Sequence, residues 1–248
     1  MTHSDHQLAV RRLFEGKAMA WGAKYTGRGA LAWRIDSFRR LVGELSPPPG
    51  RLLDFGCGTG QLACAFHGKG YDVTGCDVSP AMLAFARRES EEVRWCTLEA
   101  NQSRLPFDDA AFDVVVASSV LEYVGDVGGV LSEWARVLRP GGTLAFTVPN
   151  MRHRTRRIER IAAWLALRVD ADAWLGRASS KVRDYLEYIR LSKNRYDIAE
   201  WCDRAHMHGL IHVMAQSPGP GTLDLLGFRR GPAATAVAAA ARASSQVL

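Results

Sequence analysis

The chain has 248 residues, 47% of them hydrophobic, 9% aromatic and 23% charged, which is the composition of a folded domain and excludes a disordered or collagen-like chain. Lysine and arginine exceed aspartate and glutamate by six, a bias too mild to name nucleic acid as a partner. By region, residues 1–50, 51–150 and 151–248 carry +4, −5 and +7, so an acidic middle suited to a cationic ligand lies between basic flanks suited to an anionic one.

In chain order, residues 1–50 read as a helical segment that ends at Ser46-Pro-Pro-Pro-Gly50, because consecutive prolines cannot continue a helix. A strand over 51–55 and a helix over 61–69 follow, then a strand over 71–77 and a helix over 80–89 that Ser79 caps and Pro80 opens. The alternation goes on with strands at 93–98 and 112–119. A helix over 127–138 then places Val130, Leu131, Trp134 and Leu138 on one face and is expected to stop at Arg139-Pro140-Gly141-Gly142. The fifth strand is expected at 143–149.

Residues 151–196 read as a helical insertion. Asp197-Ile-Ala-Glu200 opens a further helix as a capping box, Gly209 can end it, and strands at 210–215 and 222–230 close the pattern. The expectation is an α/β fold with a doubly wound, mostly parallel, seven-stranded sheet, its ligand edge at the strand C-termini. The division implied is a helical N-terminal segment or lid, 1–50, and a catalytic domain, 51–248, that carries the insertion.

The five cysteines form no CxxC pair and suit a reducing compartment. Neither an apolar leader nor a membrane-length apolar run is present, so a cytoplasmic protein without stable membrane insertion is expected. His206, His208 and His212 diverge on a helix that Gly209 interrupts, and no metal site is expected there. Arg152, Arg154, Arg156, Arg157 and Arg160 beside Ile158, Ile161 and Leu165 make a basic amphipathic stretch. It reads as a solvated face, with an anionic-substrate lid or a membrane-surface contact as the functional alternatives.

The chemistry concentrates in LLDFGCGTGQLACAF. Gly56, Gly58 and Gly60 between strand and helix let the backbone turn sharply and approach a ligand, and the helix start beyond them favours an anionic group. A dinucleotide loop would want glycine at 61, where this chain has Gln61, and Asp54 would repel a pyrophosphate but receive an ammonium. Asp77 ends the second strand where it can accept from a ribose diol. Together these favour a nucleoside that bears an amino acid.

The ordered stretches LDFGCGTG, VTGCDVSPAMLAFAR, RLPFDDAAFDVVVASSVLEYV and RVLRPGGTLAFTVPN resemble the class I S-adenosylmethionine-dependent methyltransferases, in the small-molecule branch of the ubiquinone-biosynthesis O-methyltransferases. The resemblance covers residues 50–150 and implies S-adenosylmethionine as cofactor and S-adenosylhomocysteine as product. It places Asp54, Gly56, Cys57 and Gly58 around the methionine part and Asp77 on the ribose hydroxyls. Val78 and Met82 would border the adenine, and Asn101, with Glu99 as a rival, would meet its amino group. The backbone of Ser118 and Ser119 would face the methionine ammonium.

Relatives often have histidine where this chain has Tyr123, so a role resting on that imidazole is lost here. Glu122, Tyr123 and His153 are the candidate bases at the catalytic edge. The expected activity is methyl transfer to a small molecule, on oxygen before nitrogen or carbon, with an anionic or aromatic acceptor enclosed by Trp21, Tyr25, Trp33 and the arginine-rich helix. The rival is a non-catalytic cofactor-binding scaffold that holds a partner protein or RNA. Nucleic acid as the acceptor is disfavoured, because no basic, aromatic RNA-binding domain is appended. Oligomeric state is left open.

Overall fold

The structure, a computed structural model, describes residues 3–25, 31–99, 102–156, 159 and 180–232. Asn101, most of the arginine-rich stretch and the alanine-rich tail lie outside the described residues. A seven-stranded sheet runs in the order β3-β2-β1-β4-β5-β7-β6, with β1 Arg51–Phe55, β2 Asp72–Asp77, β3 Arg94–Thr97, β4 Phe112–Ala117, β5 Leu138–Pro149, β6 Leu210–Gln216 and β7 Leu223–Arg230. The first five strands are parallel, and β7 runs antiparallel to both β5 and β6. The expected mostly parallel α/β architecture is the observed one.

Alternation along the strands sends side chains into two layers. Leu52, Val114, Val116 and Ala145 face one layer, which Phe38, Leu41, Leu62 and Phe66 complete. These come from α3 (Ala32–Leu45) and α4 (Gln61–His67). Leu53, Val115, Leu144 and Phe146 face the other, with Leu131 and Trp134 of α6 (Val127–Val137) and Trp201. With both faces covered, the central strands are buried along nearly their whole length, as parallel strands require. Helix α5 (Pro80–Glu89) starts where Ser79 Oγ accepts from the Met82 amide at 3.2 Å.

One expectation is corrected. Arg139–Gly142 does not form a loop between helix and strand, because β5 begins at Leu138 and pairs with β4 across a register shift. The glycines serve that bulge: Gly141 has φ +74°, and a Cβ on Gly142 would sit 2.8 Å from the Arg139 carbonyl.

Gly75 in β2 is as tightly held, since a Cβ there would lie 2.4 Å from the Trp95 ring and 3.2 Å from Cys57 Sγ. Gly75→Ala is expected to cost about 1–3 kcal/mol by overpacking. In a chain of this size that lowers the melting midpoint by roughly 2–4 °C per kcal/mol; an unchanged midpoint in a thermal melt would refute the close approach.

The chain opens with α1 (His3–Glu15) and a short α2 (Ala18–Trp21). Further along the chain, α7 (Ser180–Leu191) leads to α8 (Ile198–His206), whose capping box is present as expected. Asp197 Oδ1 accepts from the Glu200 amide at 2.9 Å, and Glu200 Oε2 accepts from the Asp197 amide at 2.8 Å.

Candidate functional site

A cavity of about 390 Å³ opens at the C-terminal ends of β1, β2 and β4. This is where the strand order reverses between β1 and β4, the place at which open α/β sheets bind ligands. Among the residues on its wall are Asp54, Gly56, Cys57, Gly58, Asp77, Val78, Met82, Ser118, Ser119 and Tyr123. Glu99 lines it too, whereas Asn101 lies outside the described residues.

The loop after β1 is made by left-handed glycines, Gly56 at φ +69°, Gly58 at +56° and Gly60 at +86°. A Cβ on Gly56 would meet Val120 at 2.5 Å, so the backbone there lies against its neighbours with no room for a side chain. Asp77 holds this loop: its Oδ2 accepts from the Gly58 amide at 2.9 Å and its Oδ1 from the Ser79 amide at 2.8 Å. Each oxygen keeps a lone pair for a further donor. Burial raises the Asp77 pKa, against the amides of Ser79, Gly58 and Val78.

Asp54 is 1% exposed, and its Oδ2 has no hydrogen-bond partner. Burial, then the Asp77 charge, push its pKa to about 7, against the Ala63 amide. A buried carboxylate oxygen without a partner costs free energy that a cationic donor would recover. The α-ammonium of an amino-acid nucleoside is such a donor, and the Asp77 lone pairs suit its ribose diol. The residues present therefore fit S-adenosylmethionine. Cys57, buried beside these carboxylates, has its thiol pushed well above the usual range by burial and by their charges, and it serves as an apolar wall rather than a nucleophile.

At the end of β4, Ser118 Oγ accepts from the Arg34 guanidinium at 3.2 Å, and the Ser119 amide donates to Thr147 Oγ1 at 2.8 Å. Ser119 has φ +56°, a conformation that costs a non-glycine residue about 1 kcal/mol or more. It turns the chain from the strand end toward the cavity.

The three candidate bases are placed differently. Tyr123, in the 3-10 turn Leu121–Tyr123, reaches the cavity wall. Glu122 is 5% exposed and lies behind the wall, not on it. Burial raises its pKa, and Arg34, Arg156, Tyr123 and Arg195 partly offset the rise. His153 is not on the wall, and its Nδ1 bonds Thr155 Oγ1 at 2.8 Å. The structure thus brings Tyr123, but neither Glu122 nor His153, to the cavity.

Trp21 and Tyr25 enclose the cavity as the sequence predicts, whereas Trp33 packs against Gly219 instead. Arg156 is not on the cavity wall; both Glu159 oxygens take its guanidinium at 2.7 Å and the Thr222 carbonyl takes it at 3.0 Å. Gln7, Val10 and Phe14 of α1 also line the cavity, unforeseen in the sequence although they share one helical face. Among the described residues no group of three potential ligands could hold a metal ion, and no helix is long and apolar enough to cross a membrane.

Residues 53–146 match the family described as "Methyltransferase domain". Over 121 residues the chain is 43% identical to the demethylmenaquinone methyltransferase of Thermus thermophilus, an alignment covering 46% of this chain and 52% of the relative. Over 153 residues it is 31% identical to the ubiquinone biosynthesis O-methyltransferase of Bradyrhizobium sp., covering 59% and 56%. The chain thus spans about half the length of the curated relatives it matches. The magnesium protoporphyrin IX methyltransferase of Synechocystis shares the fold, with a TM-score of 0.66 at 17% identity over 90% of this chain and 98% of that one. The matched segment is the one that supplies Asp54, the glycine loop and Asp77, and over residues 53–146 the chain is similar to a methyltransferase domain.

Proposed function

We propose that the protein transfers a methyl group from S-adenosylmethionine to a small-molecule acceptor, on oxygen. The observation that carries this is the buried, unpartnered Asp54 oxygen on the same cavity wall as Asp77 and the glycine loop. That set offers sites for an ammonium and for a diol, with an apolar wall between them. When bound, the cofactor supplies an already activated methyl group, so the chain needs to align an acceptor and exclude water.

Asp77 fixes the loop through Gly58 and binds the sugar, Asp54 takes the ammonium, and Val78 and Met82 border the base. Glu99 and Gln102, both on the wall, stand on the adenine side. The aromatic residues Phe14, Trp21, Tyr25 and Tyr123 cover the remaining side and keep water from the acceptor. Oxygen is favoured over nitrogen for an acceptor that binds already ionised, as a carboxylate or an acidic phenolate, since it has no proton to lose and the Tyr123 hydroxyl on this wall can donate to its oxygen. The name of the Bradyrhizobium relative supports the same atom.

The test incubates the pure protein with methyl-labelled S-adenosylmethionine and a low-molecular-mass extract of the source organism. Label is expected to appear in an extractable small molecule in step with S-adenosylhomocysteine. Binding of S-adenosylhomocysteine without any labelled product would leave the scaffold reading in its place.

A further inference from the structure

We infer that Tyr123 is the side chain that contacts the acceptor, and that Asn194 and His6 are positioning residues that aim it. The inference rests on the methyl-transfer reading above and goes beyond it, because both positioning residues lie outside the segment that matches the methyltransferase family.

The backbone around Tyr123 is held at four successive carbonyls. Asn194, buried just after α7, uses both hydrogens of its Nδ2 group, one on the Leu121 carbonyl and one on the Val124 carbonyl, each at 2.7 Å. The Glu122 carbonyl between them accepts from the Lys193 amide at 2.8 Å and the Asn194 amide at 3.3 Å. The fourth, that of Tyr123 itself, receives His6 Nε2 from α1 at 3.0 Å. A carbonyl can only accept, so Nε2 carries the proton.

The ring is fixed as well. Phe14 and Tyr188 meet it edge-on at centroid distances of 5.3 and 5.2 Å. A 3-10 turn of three residues has little stability of its own, so these hydrogen bonds and ring contacts fix where it sits. What this determines is the place of one group, the Tyr123 hydroxyl. The residue is 3% exposed and on the cavity wall, and its hydroxyl lies near Glu122 and Tyr188 without a well-aligned hydrogen bond to either. Burial, then Glu122 and Tyr188, push its pKa well above the ordinary tyrosine value. The group therefore stays protonated and meets an acceptor as a neutral hydrogen-bonding partner.

The experiment measures label transfer from methyl-labelled S-adenosylmethionine to the low-mass extract, with S-adenosylhomocysteine affinity by calorimetry as the second readout. Tyr123→Phe is expected to slow transfer at least about tenfold while leaving affinity within about twofold. Asn194→Ala is expected to slow transfer about as much in the natural chain but less than about twofold in the Tyr123→Phe background, since residues acting through one another are not additive. His6→Gln, which keeps an N–H near the Nε2 position, should retain most of the rate that His6→Ala loses. That pair carries the test if Asn194→Ala fails to fold.

Equal transfer by Tyr123→Phe overturns the acceptor contact, and an equal slowing by Asn194→Ala in both backgrounds overturns the positioning role. Absence of both labelling and S-adenosylhomocysteine binding in the natural chain would instead overturn the methyl-transfer reading.

Discussion

Replacing Asp77 with alanine is expected to weaken S-adenosylhomocysteine binding by about 100-fold or more. Two hydrogen bonds that a ribose diol donates to a carboxylate are each worth roughly 1.5–3 kcal/mol, and about 2.7 kcal/mol already gives that factor. A second loss adds to the first, because the same carboxylate takes the Gly58 and Ser79 amides and so holds the left-handed loop in place before any ligand arrives. Asp77→Asn keeps one acceptor oxygen but turns an N–H toward one of those amides, and its affinity should fall between the two. Isothermal calorimetry on folded protein measures this. An affinity for Asp77→Ala within about threefold of the natural chain would remove the ribose contact and with it the cofactor assignment.

The second large effect is a pH dependence set by Asp54. Its pKa of about 7 in the folded, ligand-free chain means that the carboxylate is mostly protonated at pH 6 and mostly ionised at pH 7.5. Only the ionised form pairs with the cofactor's ammonium, so affinity should rise about eightfold over that interval. Stability without ligand runs the other way. The folded pKa lies above the unfolded value of 3.8, so the folded state holds the proton more tightly, and this contribution to stability is lost as pH rises from about 4 toward 7. Asp54→Asn removes both dependences and weakens binding at neutral pH. Calorimetry and thermal melts across pH 5.5–7.5 separate the two trends; a flat affinity profile in the natural chain would place the ammonium elsewhere.

The strands and helices of residues 51–150 are legible because each buried strand is a short apolar run and junctions such as Ser79-Pro80 carry their own chemistry, as does Asp197-Ile-Ala-Glu200 further on. The Arg139–Gly142 segment misleads because glycine and proline mark a stop and a bulge equally well, and only the pairing with β4 tells them apart. On the ligand side, the glycine loop and Asp77 are readable from spacing within one crossover. Gln7, Val10 and Phe14 could have been found from their helical period, but nothing in that period says which surface they cover. Asn194 and His6 leave no trace in the sequence, since they bind carbonyl oxygens that every residue carries. Glu122 and His153 show the opposite failure: suitable side chains near the right edge, one turned behind the wall and the other spent on Thr155.

The four-carbonyl hold on the Tyr123 turn spans 117 residues through His6 and 70 or 73 through Asn194, whereas the Asp77–Gly58 contact spans 19. Loop closure costs more for longer separations, so the nucleoside cradle can assemble from neighbouring chain while the opposite wall must wait for both ends to arrive. The molecule is thereby built in two tiers. The nearer-knit tier needs only one crossover of chain to form, whereas the farther-knit one draws on residues from well outside it.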